Sequence, residues 1–262
     1  MISIEAITVC ARADGKPSYA DILREVAPYN RALLSRWIVV TTPDDDATRK
    51  VCRDHSIECV LTRDFDLSPP FAKAAGINRG LQLCRGDGWL MHLDSDICLP
   101  FDFHQCLESA QLRRGAIHGC LRLNVVGSDQ WDRVKLQGLY AREGGWLVEF
   151  QQRPGLGVGG QPAGQETGYV PIGFFQLWHG SETLSWTFPR KVYPNRHGTA
   201  ARTDVQFACL WDRRDRVMIP ELVVFHLESE HAAMGANWNG RTTRPFRSTG
   251  SPVANKLAVG GY

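Results

Sequence analysis

Two aspartates separated by one serine, Asp94-Ser95-Asp96, close an apolar run in the stretch GWLMHLDSDICLPFDF (88–103). Carboxylates are what hard divalent cations such as Mg²⁺ and Mn²⁺ take from a protein. One or two are typical, with phosphate oxygens and water completing the octahedron. Side chains two apart on an extended segment point the same way, so Asp94 and Asp96 are both expected to reach one site. A polar strand end or an Asx turn would use the same residues only to bend the chain. Two later groups extend the chemistry. His226 ends an apolar stretch and is followed by Glu228 and Glu230. Imidazole suits Mn²⁺, which makes His226 a candidate third ligand beside the plainer role of a structural histidine. Asp204, in RTDVQFA, stands at an expected helix start. There it either stabilises the helix dipole, with Thr203 as cap, or serves as a general base.

The elements that must position these groups alternate. Strand signals lie at 2–11, 37–42, 57–62 and 89–93, and helical spacing at 18–37, 46–55 and 71–84, with Pro28 predicting a kink or two short helices. This rhythm predicts an α/β fold with a parallel-rich central sheet and helices on both faces. Ligands in such sheets sit beyond the carboxyl ends of the strands. That rule puts Arg12, Asp14, Thr41 and Asp44 on the same edge as Asp94 and Asp96. The second half reads as mixed: strands at 115–126, 139–151 (a hairpin around Glu143-Gly144-Gly145), 173–179 and 221–227, and a helix near 203–212. GLGVGG (155–160) satisfies GxGxxG but is followed by Pro162 and more glycine instead of a helix, so it is read as a flexible loop within 151–171. The expected organisation is one domain over 1–240, nucleotide-binding up to residue 100 and acceptor-binding from 101. A flexible basic tail, 241–262, carries Arg241, Arg244, Arg247 and Lys256.

The chain has 262 residues, 43% hydrophobic and 22% charged, with a formal net charge of +2. It is long enough for a large α/β core, and its balance does not mark a strong nucleic-acid binder. Eight cysteines form no CxxC pair, and several lie in apolar runs. They are expected to be buried free thiols rather than a disulfide framework or a zinc site. With no signal-like segment and no long apolar stretch, the expectation is a soluble, cytoplasmic protein.

On LDSDI, on the preceding helix FAKAAGINRGL, and more weakly on GFFQLWHG, RTDVQFA and VFHLESE, the chain resembles the GT-A glycosyltransferases, GT2-like and nucleotide-sugar-dependent, over roughly residues 2–230. The resemblance implies that Asp96, with Asp94, holds Mn²⁺ or Mg²⁺ against the diphosphate of a nucleotide sugar, UDP-sugar favoured. It implies that His226 is the late histidine ligand and Asp204 the base of an inverting transfer, although the family's usual Glu-Asp is Thr-Asp here. Lys73, Asn78 and Arg79 would border donor phosphate or sugar. Thr8, Cys10, Ala11, Arg12, Asp44 and Ser95 would line the nucleotide. Trp238 and Arg241 would close over the diphosphate, and Phe175, Gln176 and Trp178 would line the acceptor cleft, against the alternative that aromatics there are core.

Other functions compete. A phosphohydrolase or phosphotransferase with Asp94 as nucleophile wants its DxD near the first strand. A nucleotidyltransferase shares the architecture and the metal logic. A non-catalytic, metal-dependent carbohydrate-binding protein would need no base. The acceptor is expected to be a soluble or peripheral glycan, a protein or, on the strength of Arg113-Arg114, Arg213-Arg214-Arg216 and the arginines from Arg241 to Arg247, a hydroxylated base in DNA. No integral membrane segment is expected.

Overall fold

The computed structural model describes residues 2–12, 15–67, 72–139, 158–159, 163–164, 168–184, 191–194, 200–229, 241 and 243–247. The first half alternates as expected: β1 (Ile4–Val9), α1 (Ala20–Leu33), β2 (Arg36–Thr41), α2 (Asp46–Asp54), β3 (Glu58–Leu61), α3 (Lys73–Leu81) and β4 (Trp89–Leu93). There follow β5 (Ile97–Cys98), α4 (Phe103–Ser109), β6 (Ile117–Val126), α5 (Gly127–Gln137), the short strands β7 (Val158–Gly159), β8 (Ala163–Gly164) and β9 (Gly168–Tyr169), β10 (Phe175–His179), α6 (Ser181–Leu184), α7 (Ala200–Ala208) and β11 (Arg216–Glu228).

The main sheet runs β3-β2-β1-β4-β10-β6-β11-β5, with β7 beside β6. The first four strands are parallel, β10 is antiparallel to both β4 and β6, and β11 runs parallel to β6. Thus β4, β6 and β11 all point the same way, and their carboxyl ends share one edge. Strand alternation splits the apolar side chains between two faces. Ala6, Trp37, Val39, Met91, Phe175 and Leu177 pack against α1, α2, α4 and α5. Ile7, Ile38, Val40, Leu90 and Trp178 pack against α3 and α7.

Several expectations shift in detail. Helix α1 runs unbroken through Pro28, because burial of Ile22, Leu23, Val26, Ala27 and Asn30 holds both sides of the proline in place. Strand β11 begins at Arg216, and its register slips between Ile219 and Val223, around Pro220, which cannot donate to a ladder. Helices α4 and α5 have no counterpart in the sequence reading. Apart from Leu139, the hairpin at 139–151 lies outside the described residues, as does all of GLGVGG except Val158–Gly159. Cys10, Cys52, Cys98, Cys106 and Cys120 are buried free thiols as expected, but Cys209 is exposed. Among the described residues no helix is long and apolar enough to cross a membrane.

The segment expected as a flexible tail is docked where it is described. Arg247 makes forked bonds to Glu25 at 2.6 and 2.9 Å and to Asp132 at 2.9 and 3.0 Å. Phe246 is buried, and its N–H donates to Asp21 at 2.7 Å. Four carboxylate oxygens matched to two guanidinium forks hold this stretch against α1 and α5.

Candidate functional site

β4 ends at Leu93, and Asp94-Ser95-Asp96 is a turn rather than a strand extension. The Asp94 N–H donates to the Phe174 carbonyl at 3.2 Å, and the Ile97 N–H returns to the Asp94 carbonyl at 3.3 Å. The chain then reverses into β5, which pairs with β11 and sets Ile97 opposite His226. Buried Asn30 fixes that return by donating to the Ile97 carbonyl at 2.7 Å and accepting from the Leu99 N–H at 2.8 Å. The Leu227 N–H donates to the Asp96 carbonyl at 2.8 Å. The two aspartates therefore do not face one way, as an extended segment would require. The turn sends them to different neighbours.

Asp94 faces α3 and α7. The ammonium of Lys73, first residue of α3, lies 2.8 Å from Asp94 Oδ1 and 3.3 Å from Asp204 Oδ2. Buried His92 lies below both acids, Nε2 at 3.4 Å from Asp94 Oδ1 and Nδ1 at 3.9 Å from Asp204 Oδ1, contacts without hydrogen-bond alignment. Burial works against the Asp94 charge, yet Lys73 and His92 outweigh it and hold the carboxyl well below the usual carboxylate range. Burial also opposes the Lys73 charge, and the two carboxylates overcome it and raise its pKa. Asp204 moves the other way: burial pushes it up, the Asp94 charge adds to that, and Lys73 and His92 only partly offset it. Two neighbouring carboxyls pushed apart in this way is the pattern that separates a permanent anion from a proton acceptor.

Asp204 lies inside α7 rather than at its start, so the helix-start expectation is corrected. A Cβ at Gly173 would overlap the Asp204 carboxylate, so only glycine lets the acid come this close to the backbone. Gln176 donates to the Asp204 and Pro171 carbonyls at 3.0 and 2.9 Å, and accepts from the Tyr193 hydroxyl. Its side chain thus anchors α7 to β10.

Asp96 faces β11 and β6. Its Oδ2 lies 3.4 Å from His226 Nε2, and Glu228 Oε1 lies 3.5 Å from the same nitrogen. The other carboxylate oxygen, Oδ1, is buried with no hydrogen-bond partner among the described residues. Buried Arg122, over the Phe174 ring at 4.7 Å, feels Asp96, Asp94 and Glu228, although burial dominates and lowers its pKa. Among the described residues, no three His, Cys, Asp or Glu side chains form a finished metal cage. What Asp96 and His226 present is one side of a coordination shell, with an orphaned carboxylate oxygen that a cation would satisfy. This donor set fits Mn²⁺ or Mg²⁺ completed by phosphate and water.

The remaining expected site residues divide. The Thr8 hydroxyl bridges the Leu93 carbonyl and the Trp37 indole at 2.8 and 2.9 Å, so it braces β1, β2 and β4. Cys10 is buried against the Thr48 hydroxyl at 3.3 Å, and burial pushes its thiol up to about 12. Ser95 is buried beside it, and Ala11 is half-buried. Exposed Arg12 reaches the Asp44 carbonyl at 3.5 Å, which puts both on the open edge as expected. Asn78 is committed to the Tyr193 backbone at 2.8 and 3.1 Å, and exposed Arg79 turns back to Gln82 at 3.1 Å. Arg241 is buried between Asp21, the Ser229 hydroxyl and the face of Tyr19, so it anchors the chain to α1. Phe175, Gln176 and Trp178 are fully buried, with no open face for an acceptor to stack on. Trp238 lies outside the described residues. His92, Arg122 and Asn124 were missed. The interior polar residues of WLMHL and of LRLNVV were the available signal, since a polar group in an apolar strand needs a reason to be there.

No protein-family model and no curated protein matches the chain. Among solved structures it is similar to glucosyl-3-phosphoglycerate synthase from Mycobacterium tuberculosis, at 13% identity and a TM-score of 0.48 over 88% of this chain and 73% of that one. A complex of that enzyme with Mn²⁺, UDP-glucose and phosphoglyceric acid matches at 16% identity and a TM-score of 0.46, over 86% and 71% of the two chains. Mannosyl-3-phosphoglycerate synthase from Rubrobacter xylanophilus matches at 17% identity and a TM-score of 0.35, over 46% of this chain and 40% of that one. At these identities and scores the likeness carries no residue roles to this chain.

Proposed function

We propose that the chain is a divalent-metal-dependent glycosyltransferase that moves a sugar from a nucleoside-diphosphate sugar, UDP-sugar favoured, to an acceptor hydroxyl with inversion. The observation that carries this is Asp96: a carboxylate with a buried oxygen that has no partner among the described residues, facing His226, at the strand edge where such sheets bind ligands. Asp96 and His226 would hold the cation, with Asp94 held by Lys73 on the other side of the turn. When bound, the cation neutralises charge developing on the departing diphosphate. Asp204 takes the proton of the acceptor hydroxyl as the new C–O bond forms at the anomeric carbon. The sugar–phosphate bond breaks with its electron pair going to the nucleoside diphosphate. The raised proton affinity of Asp204 suits a base. Lys73 keeps the mutual repulsion of Asp94 and Asp204 in check, and Gly173 admits the carboxylate.

The test is release of nucleoside diphosphate from a panel of UDP-, GDP-, ADP-, CDP- and dTDP-sugars, with Mn²⁺ or EDTA. One donor turned over with Mn²⁺, silent with EDTA and silent in Asp204→Asn, is the expected result. No binding or turnover of any donor would remove the nucleotide-sugar reading and favour a carbohydrate-binding protein.

A further inference from the structure

His226 and Asn124 are register partners across the parallel pair β11·β6, and Asn124 Oδ1 lies 3.2 Å from His226 Nδ1. On its other side the same imidazole faces two carboxylate oxygens, Asp96 Oδ2 and Glu228 Oε1, at 3.4 and 3.5 Å from Nε2. An imidazole nitrogen is a metal donor only when its lone pair is free. Which nitrogen is free is set by the hydrogen bond the other one makes. An amide oxygen can only accept, so against it Nδ1 must carry the proton. In the neutral ring Nε2 is then the nitrogen with the free lone pair, and it faces the two carboxylate oxygens. Three such atoms at these separations call for positive charge among them, which a bound cation supplies.

We infer that Asn124 is the positioning residue of the metal site: its side-chain oxygen fixes the Nδ1–H tautomer of His226 and turns Nε2 into a donor between Asp96 and Glu228. This rests on the metal-dependent reading above. The residue acts through His226 and touches neither substrate nor cation. His226 is over nine-tenths buried, so its ring is held by such contacts rather than by water.

The experiment is Mn²⁺ binding to the full chain, without nucleotide and with UDP, by calorimetry and by pulsed EPR of directly bound imidazole nitrogen. Wild type is compared with Asn124→Asp, which keeps an acceptor, and Asn124→Leu, which has none. Asn124→Ala stands in should the leucine disturb the sheet. The expected result is about 10- to 100-fold weaker Mn²⁺ binding and loss of the nitrogen signal in Asn124→Leu, with both retained in Asn124→Asp. Wild-type binding and signal in Asn124→Leu would overturn the proposal. Equal loss in the aspartate and leucine variants would also overturn it, since Asn124 would then be acting as a donor to Nδ1. Absence of Mn²⁺ binding in wild type overturns the metal-dependent reading itself, and this assignment with it.

Discussion

The two aspartates of one turn occupy opposite electrostatic situations. Asp94 is compensated from within the fold: Lys73 lies 2.8 Å away, and the half-buried carboxyl is held well below the usual carboxylate range. Asp96 is left with a buried oxygen that has no hydrogen-bond partner among the described residues, opposite a histidine and beside a second acid. Buried charge is costly unless it is paired, so the first side is complete and the second is built for something the chain does not supply. One short segment can thus hold a fixed anion for preorganisation and an open anion for a cation. The turn that separates them is what makes this possible.

Breaking the open side should have the largest functional effect. Asp96→Ala is expected to weaken Mn²⁺-dependent nucleotide binding by on the order of a hundredfold or more, beyond the loss expected from a residue that only orients a ligand, with little change in Tm. Calorimetry and thermal melts check the two together. Asp204→Asn should lower transfer by roughly 10²- to 10⁴-fold with the donor Kd unchanged, as loss of a general base requires. A change confined to KM would instead make Asp204 a packing partner of Lys73. Breaking the compensated side should appear mainly as stability. Lys73→Met leaves two facing carboxylates unpaired, at a cost of about 3–5 kcal/mol and a fall in Tm on the order of 10 °C.

That cost should depend on pH, and the sign follows from the three shifts. The Asp94 carboxyl is depressed, so its stabilisation is present above the unfolded carboxylate range and lost as pH falls through it toward the folded value. Lys73 is raised, so its contribution is full below the unfolded lysine range and fades only as pH rises beyond it. Asp204 is raised and opposes Asp94, because its ionisation costs stability as pH rises through its folded value. Wild type should therefore lose stability below about pH 4 in urea melts, while Asp94→Asn flattens that limb. A smaller effect is expected from Gly173→Ala, about 1–3 kcal/mol of overpacking as the Asp204 carboxylate is pushed aside.

The parallel half was legible because each of its elements carries its own periodic signal, and β4 was placed at Trp89–Leu93, where the apolar run ends. Pro28 does not split the helix in two, because tertiary burial along α1 outweighs one lost helical hydrogen bond. Helix α5 was missed: Gly127–Gln137 is mostly polar, and Trp131 and Val134 are its only buried residues. At the site, Lys73, Asp94, Asp96, Asp204 and His226 were named from sequence, but their grouping was not. Whether two acids share a ligand depends on a turn whose hydrogen bonds come from Phe174 and Leu227, residues distant in sequence. The acceptor assignment to Phe175, Gln176 and Trp178 met the opposite problem, since alternation along a strand does not reveal that both faces are covered.

The most direct test of the open-anion account is calorimetric titration of UDP into wild type and Asp96→Ala, each with Mn²⁺ and with EDTA. The account predicts binding in wild type with Mn²⁺, and its loss both on chelation and in the variant. UDP binding of equal strength in all four conditions would contradict it, because Asp96 would then hold no cation against the nucleotide.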